Sequence, residues 1–214
     1  MPREHTQIAR NETIATWRVA REVLANSPTE EQLKDVFDRF FVGRLDSRYL
    51  EPIRKLDELS YNDGEGFSIV TLYCSIIEFL ASTRSGQRFE YVDRKSRRKM
   101  KADVYCDSKR MFVDFLRKEM PFANIFERKR DAKAFYSDVR CGLVHEARTK
   151  GKWRIRAKKS ARVAIDVSNK VIYRRRLPDL FSEYITSYKE EFLKERSLQE
   201  NFLCKFDHLC DLEA

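Results

Sequence analysis

Residues 67–82 read FSIVTLYCSIIEFLAS and decide the fold of this chain. Drawn as a helix, the segment has apolar side chains almost all the way round, which is the pattern of a helix buried in a protein core. Its one acidic residue, Glu78, needs a partner, because a buried carboxylate without one costs free energy. We expect Glu78 either to pair with a nearby arginine across a helix face or to orient an arginine of a functional site.

The rest of the chain also favours helices. Only 6 Gly and 5 Pro occur among its 214 residues, too few for a turn-rich β fold. Apolar residues recur at helical spacing on both sides of the central segment. The predicted helices cover 12–25, 27–41, 44–61, 108–120, 126–147 and 177–210. We therefore predict a mainly all-α fold, formed as a single domain over residues 1–214.

Capping residues predict where three of these helices begin. Asn11 is expected to cap the first helix. Ser27 and Glu30 have the spacing of a capping box, with Pro28 at the first helical position of the second helix. Asp107 or Ser108 is expected to cap the helix over 108–120.

One region departs from helical spacing. Between residues 150 and 175, apolar residues alternate with polar ones, and Ser168 with Asn169 fits a turn. We predict a small β-hairpin inserted over 150–175, before the C-terminal helix.

Charge and cysteine content narrow the class of function. The net charge of +9 favours a polyanionic partner such as nucleic acid or an acidic membrane surface. The five cysteines form no CxxC pair, so we expect no disulfide framework, no metal site and no cofactor. The first residues lack the apolar core of a signal peptide, and no apolar run approaches the roughly 20 residues of a membrane span. A cytoplasmic protein without membrane contact is expected.

Two basic segments are candidates for contact with RNA, because cations that meet phosphates release condensed counterions. The first contains Arg94, Lys95, Arg97, Arg98, Lys99 and Lys101. The second is the segment 148–162, RTKGKWRIRAKKSAR, which contains Arg148, Lys150, Lys152 and Trp153, whose indole could stack on a base. Either segment could instead be a solvated loop, and Trp153 could instead belong to the core of the hairpin.

The candidate catalytic residues lie in FYSDVRCGLVHEARTK, residues 135–150. The imidazole of His145 can take or give a proton near neutral pH. The guanidinium of Arg140 can hold a phosphate and stabilise charge that builds on it. Five residues separate the two by about 140° on an ideal helix, so they do not share one face. The alternative is a His placed at a helix end, where the dipole favours a cation.

This stretch resembles the Arg-x(4–6)-His signature of the HEPN superfamily, whose helical domains include many metal-independent ribonucleases. The resemblance implies a bundle of four or more helices that pairs as a homodimer. Two motif helices would then meet across the interface, so that Arg140 and His145 of both copies line one cleft. It also implies cleavage of RNA by attack of the 2′-OH, a role in toxin or antiphage systems, and an antitoxin or regulatory protein as a further partner.

The position after the arginine departs from the HEPN pattern. Active members often carry Asn, Asp or His there, whereas this chain has Cys141, a weak hydrogen-bonding group. Asp138 is a candidate to replace it as a supporting residue. The departure leaves a second hypothesis open, a non-catalytic HEPN-like module that binds RNA or a protein.

Overall fold

A computed structural model describes residues 4–59, 64–92 and 100–212. Helices make up 66% of the chain, which confirms the mainly all-α fold. The α-helices are α1 Ile14–Ala25, α2 Glu30–Val36, α3 Gly43–Leu45, α4 Glu51–Leu59, α5 Glu65–Arg84, α6 Ser108–Lys118, α7 Phe122–Ile125, α8 Lys129–Ala134, α9 Cys141–Glu146, α10 Leu177–Lys194 and α11 Arg196–Leu209. Three π-helical turns, Phe37–Val42, Asp46–Leu50 and Phe135–Arg140, continue neighbouring helices without a break, and Arg174–Arg176 is a 3-10 turn.

In the part of the chain that the structure describes, the strands are short and form three small sheets. β1 Gln7–Ala9 pairs with β2 Glu12–Thr13, and β3 Arg88–Phe89 pairs in parallel with β4 Val104–Tyr105. The third sheet has the order β5-β7-β6, from β5 Arg154–Arg156, β6 Ile165–Asp166 and β7 Val171–Tyr173. β6 and β7 are the antiparallel hairpin, and β5 joins β7 in parallel. Residues 150–175 thus contain a hairpin with one added strand.

The chain divides into two compact units. Unit 1 comprises Met1–Pro52, Phe79–Cys106 and Tyr188–Ala214. Unit 2 comprises Ile53–Glu78 and Asp107–Ser187. Each unit is therefore assembled from segments that are distant in the sequence.

Unit 1 has an aromatic core around Trp17. The Trp17 ring lies edge-on to Phe40, with centroids 5.0 Å apart, and 5.1 Å from Phe206. Such ring contacts add to the free energy gained by burial. The indole N–H of Trp17 donates to Asp207 at 2.9 Å, and Arg21 contacts the same carboxylate at 2.9 Å. The buried Asp207 therefore has the partners that a buried charge requires.

Unit 2 has its own aromatic core, which reaches from α5 to the small sheet. Tyr73 of α5 lies 4.6 Å from Phe181 of α10. Phe135 lies 5.1 Å from Phe126 and 5.3 Å from Trp153, both in edge-on contacts. Trp153 therefore packs the start of the sheet against the π-helical turn that begins at Phe135.

Two predicted helix caps are wrong, and the third is confirmed. Thr13, not Asn11, caps α1, and Thr29 with Gln32, not Ser27 with Glu30, forms the capping box of α2. Asn11 and Ser27 both have left-handed backbones, φ 56° and 53°, so they belong to the turns that precede the caps. Asp107 caps α6 through a side-chain bond to the amide of Arg110.

Within the described residues, α5 is the one helix with the length and apolarity needed to cross a membrane. Of its most apolar window, 56% is buried inside the protein. The core helix of a soluble protein meets the same criteria, and the burial of α5 is consistent with a soluble protein.

Candidate functional site

The candidate catalytic residues lie at the end of a helix that changes its winding. Helix α8 passes into the π-helical turn Phe135–Arg140, which passes into α9. A single π-helical turn inside an α-helix often marks a functional site. Arg140 is the last residue of this turn, and His145 lies in the last turn of α9.

Arg140 is held by two side chains of unit 2. Its Nη2 donates to Glu78 Oε2 at 3.2 Å, and its guanidinium lies 5.5 Å from the centre of the Tyr136 ring. The side chains of Arg140 and Glu78 keep 22% and 18% of their surface exposed. The arginine that Glu78 was expected to need is therefore Arg140, and its guanidinium remains partly accessible.

The environment of Arg140 keeps its guanidinium charged and keeps the neighbouring hydroxyl and thiol groups protonated. Burial raises the pKa of the Tyr136 hydroxyl to about 12, against the opposing effect of the Arg140 charge. Burial also raises the pKa of the Cys74 thiol to about 12. For Arg140 itself, burial lowers the pKa, but Tyr136 and Glu78 outweigh burial and the net shift is upward. Tyr136 and Cys74 are therefore neutral at physiological pH beside a charged guanidinium.

Cys141 also borders this group. It is half-buried and interacts with the Tyr136 hydroxyl, whose pKa it helps to raise. Cys141 therefore contacts Tyr136, the side chain that lies against the Arg140 guanidinium.

His145 is in a different environment. It is exposed, and no hydrogen bond to its ring is found in the described part of the chain. Helix α9, which begins directly after Arg140 and includes His145, is α-helical, so the angle of about 140° expected for five residues applies. The structure therefore does not bring Arg140 and His145 onto one face of their helix.

The loop after α9 folds back onto the helix. The amide of Arg148 donates to Gly142 O at 3.3 Å, and the amide of Lys150 donates to Asp138 O at 2.7 Å. A Cβ at Gly142 would lie 2.5 Å from Arg148 O, so this close approach requires glycine. The Asp138 carboxylate accepts from Ser137 Oγ at 3.1 Å. Asp138 thus lies under the returning loop, which it helps to fix.

The predicted RNA-binding residues fall into distinct environments. Arg148 and Lys150 pair with Glu146 at 3.0 and 3.4 Å, and these contacts lower the pKa of Glu146. Trp153 is only 4% exposed, so it is a core residue with no free ring face for a base. Lys152 is exposed. Of the first basic segment, Lys101 is exposed, and Arg94, Lys95, Arg97, Arg98 and Lys99 lie outside the described residues.

The predicted RNA-binding segment 148–162 also contains the cations that follow Trp153. The exposed residues of this group are Arg154, Arg156, Lys158, Lys159 and Arg162. Their alternation with apolar residues was visible in the sequence, and it places the cations of a half-buried strand on its solvent side. Tyr136 is not among the predicted site residues, although it lies four residues before Arg140, the spacing at which side chains on a helix meet.

A second cluster of reactive side chains lies in unit 1. His208 Nε2 is 3.3 Å from Cys204 Sγ and 3.1 Å from Asp103 Oδ2. In a catalytic triad, one ring nitrogen of the histidine contacts the nucleophile and the other contacts the carboxylate. Here His208 Nε2 makes both contacts. Burial raises the pKa of Cys204 and lowers that of His208. This cluster therefore lacks the geometry and the ionisation of an activated nucleophile.

Across residues 4–59, 64–92 and 100–212, no three His, Cys, Asp or Glu side chains come together as metal ligands would. Comparison with protein-family models, with curated proteins and with solved structures found no match. The motif and the surroundings of Arg140 are therefore the features of this chain that bear on its function.

Proposed function

We propose that this chain is a HEPN-type endoribonuclease that cleaves RNA without a metal ion. One observation carries the proposal. The guanidinium of Arg140 is fixed by Glu78 and Tyr136 at the end of a π-helical turn, five residues before an exposed His145. A fixed cation and an exposed imidazole supply the two functions that phosphodiester cleavage needs.

The reaction proceeds by attack of a ribose 2′-oxygen on the adjacent phosphorus. His145 exchanges the protons: one leaves the 2′-OH as the new P–O bond forms, and one reaches the 5′-oxygen as the P–O5′ bond breaks. Arg140 stabilises the negative charge that builds on the phosphate oxygens. The products carry a 2′,3′-cyclic phosphate and a 5′-OH.

The proposal includes a homodimer, because Arg140 and His145 do not share a helix face. In a twofold dimer the same surface of both copies meets, so the arginine of one copy can work with the histidine of the other. Val144, which is 50% exposed beside His145, supplies apolar surface for such a contact. In the cell we propose a cytoplasmic toxin or antiphage effector, held in check by an antitoxin or regulatory protein.

The test is cleavage of a mixed RNA pool in the presence of EDTA. We expect the wild-type chain to cleave, and Arg140→Ala and His145→Ala each to lower the rate by roughly 10²-fold or more. Mapping of the fragment ends should find cyclic phosphate and 5′-OH groups. His5→Ala and Arg110→Ala are matched controls, because both side chains are exposed and lie outside the motif. Equal activity of the motif variants and these controls would refute the assignment.

A second candidate function is a non-catalytic module that binds RNA or a protein. It is favoured by the bond between Glu78 and Arg140, since a guanidinium bonded to a carboxylate has fewer donors for a phosphate, and by Cys141 in place of a polar residue. For such a module, RNA binding would persist in both motif variants, and wild-type and variant proteins would be equally inactive in cleavage.

A further inference from the structure

The structure separates the cations of one basic segment into two groups. Between residues 148 and 162 the sequence has eight Lys or Arg and no Asp or Glu. The first two, Arg148 and Lys150, are neutralised by Glu146. Among the described residues, no carboxylate pairs with the six that follow, which are Lys152, Arg154, Arg156, Lys158, Lys159 and Arg162. The cations that are available to a binding partner therefore begin at Lys152.

These open cations lie along an edge of the small sheet. β5 is an edge strand, because β7 is its one neighbour in the order β5-β7-β6. Arg154 and Arg156 flank Ile155 and are exposed, whereas Ile155 is half-buried, so both guanidinium groups are on the solvent side of the strand. Lys158 and Lys159 continue the row into the loop after β5.

The row is anchored to the helix that carries Arg140. Trp153, directly before β5, packs on Phe135 at the start of the π-helical turn. Thr149 Oγ1 donates to Trp153 O at 2.6 Å, and the Lys150 amide bonds to Asp138 within that turn. All of these residues belong to unit 2, so the edge strand has a fixed place relative to Arg140.

We infer that Arg154, Arg156, Lys158, Lys159 and Arg162, the phosphate strip, bind the backbone of the RNA strand on one side of the scissile bond. The inference rests on the proposed function for the identity of the polymer. An extended row of cations that pair with no carboxylate of the described residues fits successive phosphates of an extended strand, and guanidinium groups can bond phosphate oxygens in pairs. The Arg154 guanidinium also donates to Asn169 O at 3.4 Å. Within the predicted segment 148–162, the strip is then the binding surface, rather than Arg148, Lys150 and Trp153.

The experiment measures how the affinity for RNA depends on salt. The probe is a single-stranded RNA with 2′-O-methyl groups, which cannot be cleaved by its own 2′-oxygen and so can be used with the active protein. Variant Arg154→Gln, Arg156→Gln, Lys158→Gln removes three strip charges. The matched control Lys109→Gln, Lys129→Gln, Lys133→Gln removes three exposed charges elsewhere in unit 2. Thermal unfolding verifies that both variants fold.

For a single strand, each lost phosphate contact lowers the magnitude of the slope of log binding constant against log salt concentration by about 0.7. The strip variant, which lacks three cations, should therefore have a slope that is smaller in magnitude by roughly 2. The control should keep the wild-type slope. If the slope fell equally in both variants, the effect would come from net charge alone and the strip would be refuted. Unchanged slopes in both variants would also refute the strip. Cleavage of unmodified RNA is measured separately. If the protein cleaves RNA but the strip variant keeps the wild-type slope, the strip is refuted and the proposed nuclease activity is not. If the strip variant loses slope but the wild-type protein cleaves no RNA, the nuclease activity is refuted and the strip is not.

Discussion

The bond between Glu78 and Arg140 joins residues 62 positions apart. The apolar helix around Glu78 predicts that this carboxylate needs a cation, because an unpartnered charge in a core is costly. The sequence does not indicate which arginine supplies it, since that depends on how α5 packs against the helix of residues 129–146. Tyr136, in contrast, lies four residues before Arg140, so its contact with the guanidinium follows from helical spacing.

A double-mutant cycle tests this bond. Glu78→Gln and Arg140→Met should each lower the free energy of unfolding by about 1–3 kcal/mol, because each removes the ion pair between two half-buried side chains. The two losses should not add, with a coupling of about 0.5–3 kcal/mol. Urea denaturation of the four proteins measures this. Strictly additive losses would contradict a direct bond.

Burial of Cys74 predicts a loss of stability in alkali. Its pKa is raised from 9.0 to about 12 in the folded protein, so the unfolded chain loses the thiol proton first as the pH rises. This contribution to stability is complete below pH 9 and is lost as the pH rises towards 12. We expect the drop in unfolding free energy between pH 8 and pH 11 to be smaller in Cys74→Val than in the wild type. An identical drop would contradict the raised pKa.

At the scale of elements, the helices were largely predictable and their ends were not. The helix predicted over 126–147 extends from Lys129 to Glu146 and includes a π-helical turn. Apolar spacing identifies a helix, but it does not distinguish Ser27 from Thr29 as the cap of α2. Both have a partner three residues later, and the choice is made by the backbone of the preceding turn.

Alanine substitutions distinguish the two caps. Thr29→Ala removes the oxygen that accepts from the Gln32 amide and should lower the free energy of unfolding by about 1 kcal/mol. Ser27→Ala should change it by less than about 0.5 kcal/mol, the usual range for a surface position. Chemical denaturation of both variants gives the comparison, and a larger loss at Ser27 would contradict the observed cap.

Trp153 tests the link between the sheet and the helix. Because its ring is buried against Phe135, Trp153→Ala should lower the free energy of unfolding by about 3–5 kcal/mol. If Trp153 instead stacked on a base, the substitution would weaken RNA binding and leave stability unchanged. Lys152→Ala is the neighbouring control, because its side chain is exposed. Thermal unfolding and RNA binding, measured on the same samples, separate the two roles.

At the scale of the whole molecule, composition predicted the helical class, but it did not predict two compact units. Their segments alternate along the chain, and local patterns contain no information on which distant segments pack together. For the candidate site, the motif predicts Arg140 and His145, and the charge of segment 148–162 predicts contact with RNA. Which cations of that segment pair with a carboxylate depends on the structure.

The proposed dimer predicts rescue between inactive variants. Arg140→Ala and His145→Ala homodimers should each be inactive. After mixing and exchange, half of the dimers carry one intact composite site out of two, so activity should return to roughly a quarter of wild type. Exchange is verified with two tags of different mass. If activity stays absent in exchanged dimers, each site takes both residues from one copy.

The alternating segments also set an order of completion during synthesis. Both segments of unit 2, with Arg140 and His145, have left the ribosome once residue 187 has emerged. Unit 1 must wait for its last segment, which begins at Tyr188 and includes α11. For a protein proposed to cleave RNA, the half that carries the motif is thus complete in sequence while the nascent chain is still attached to its own messenger RNA.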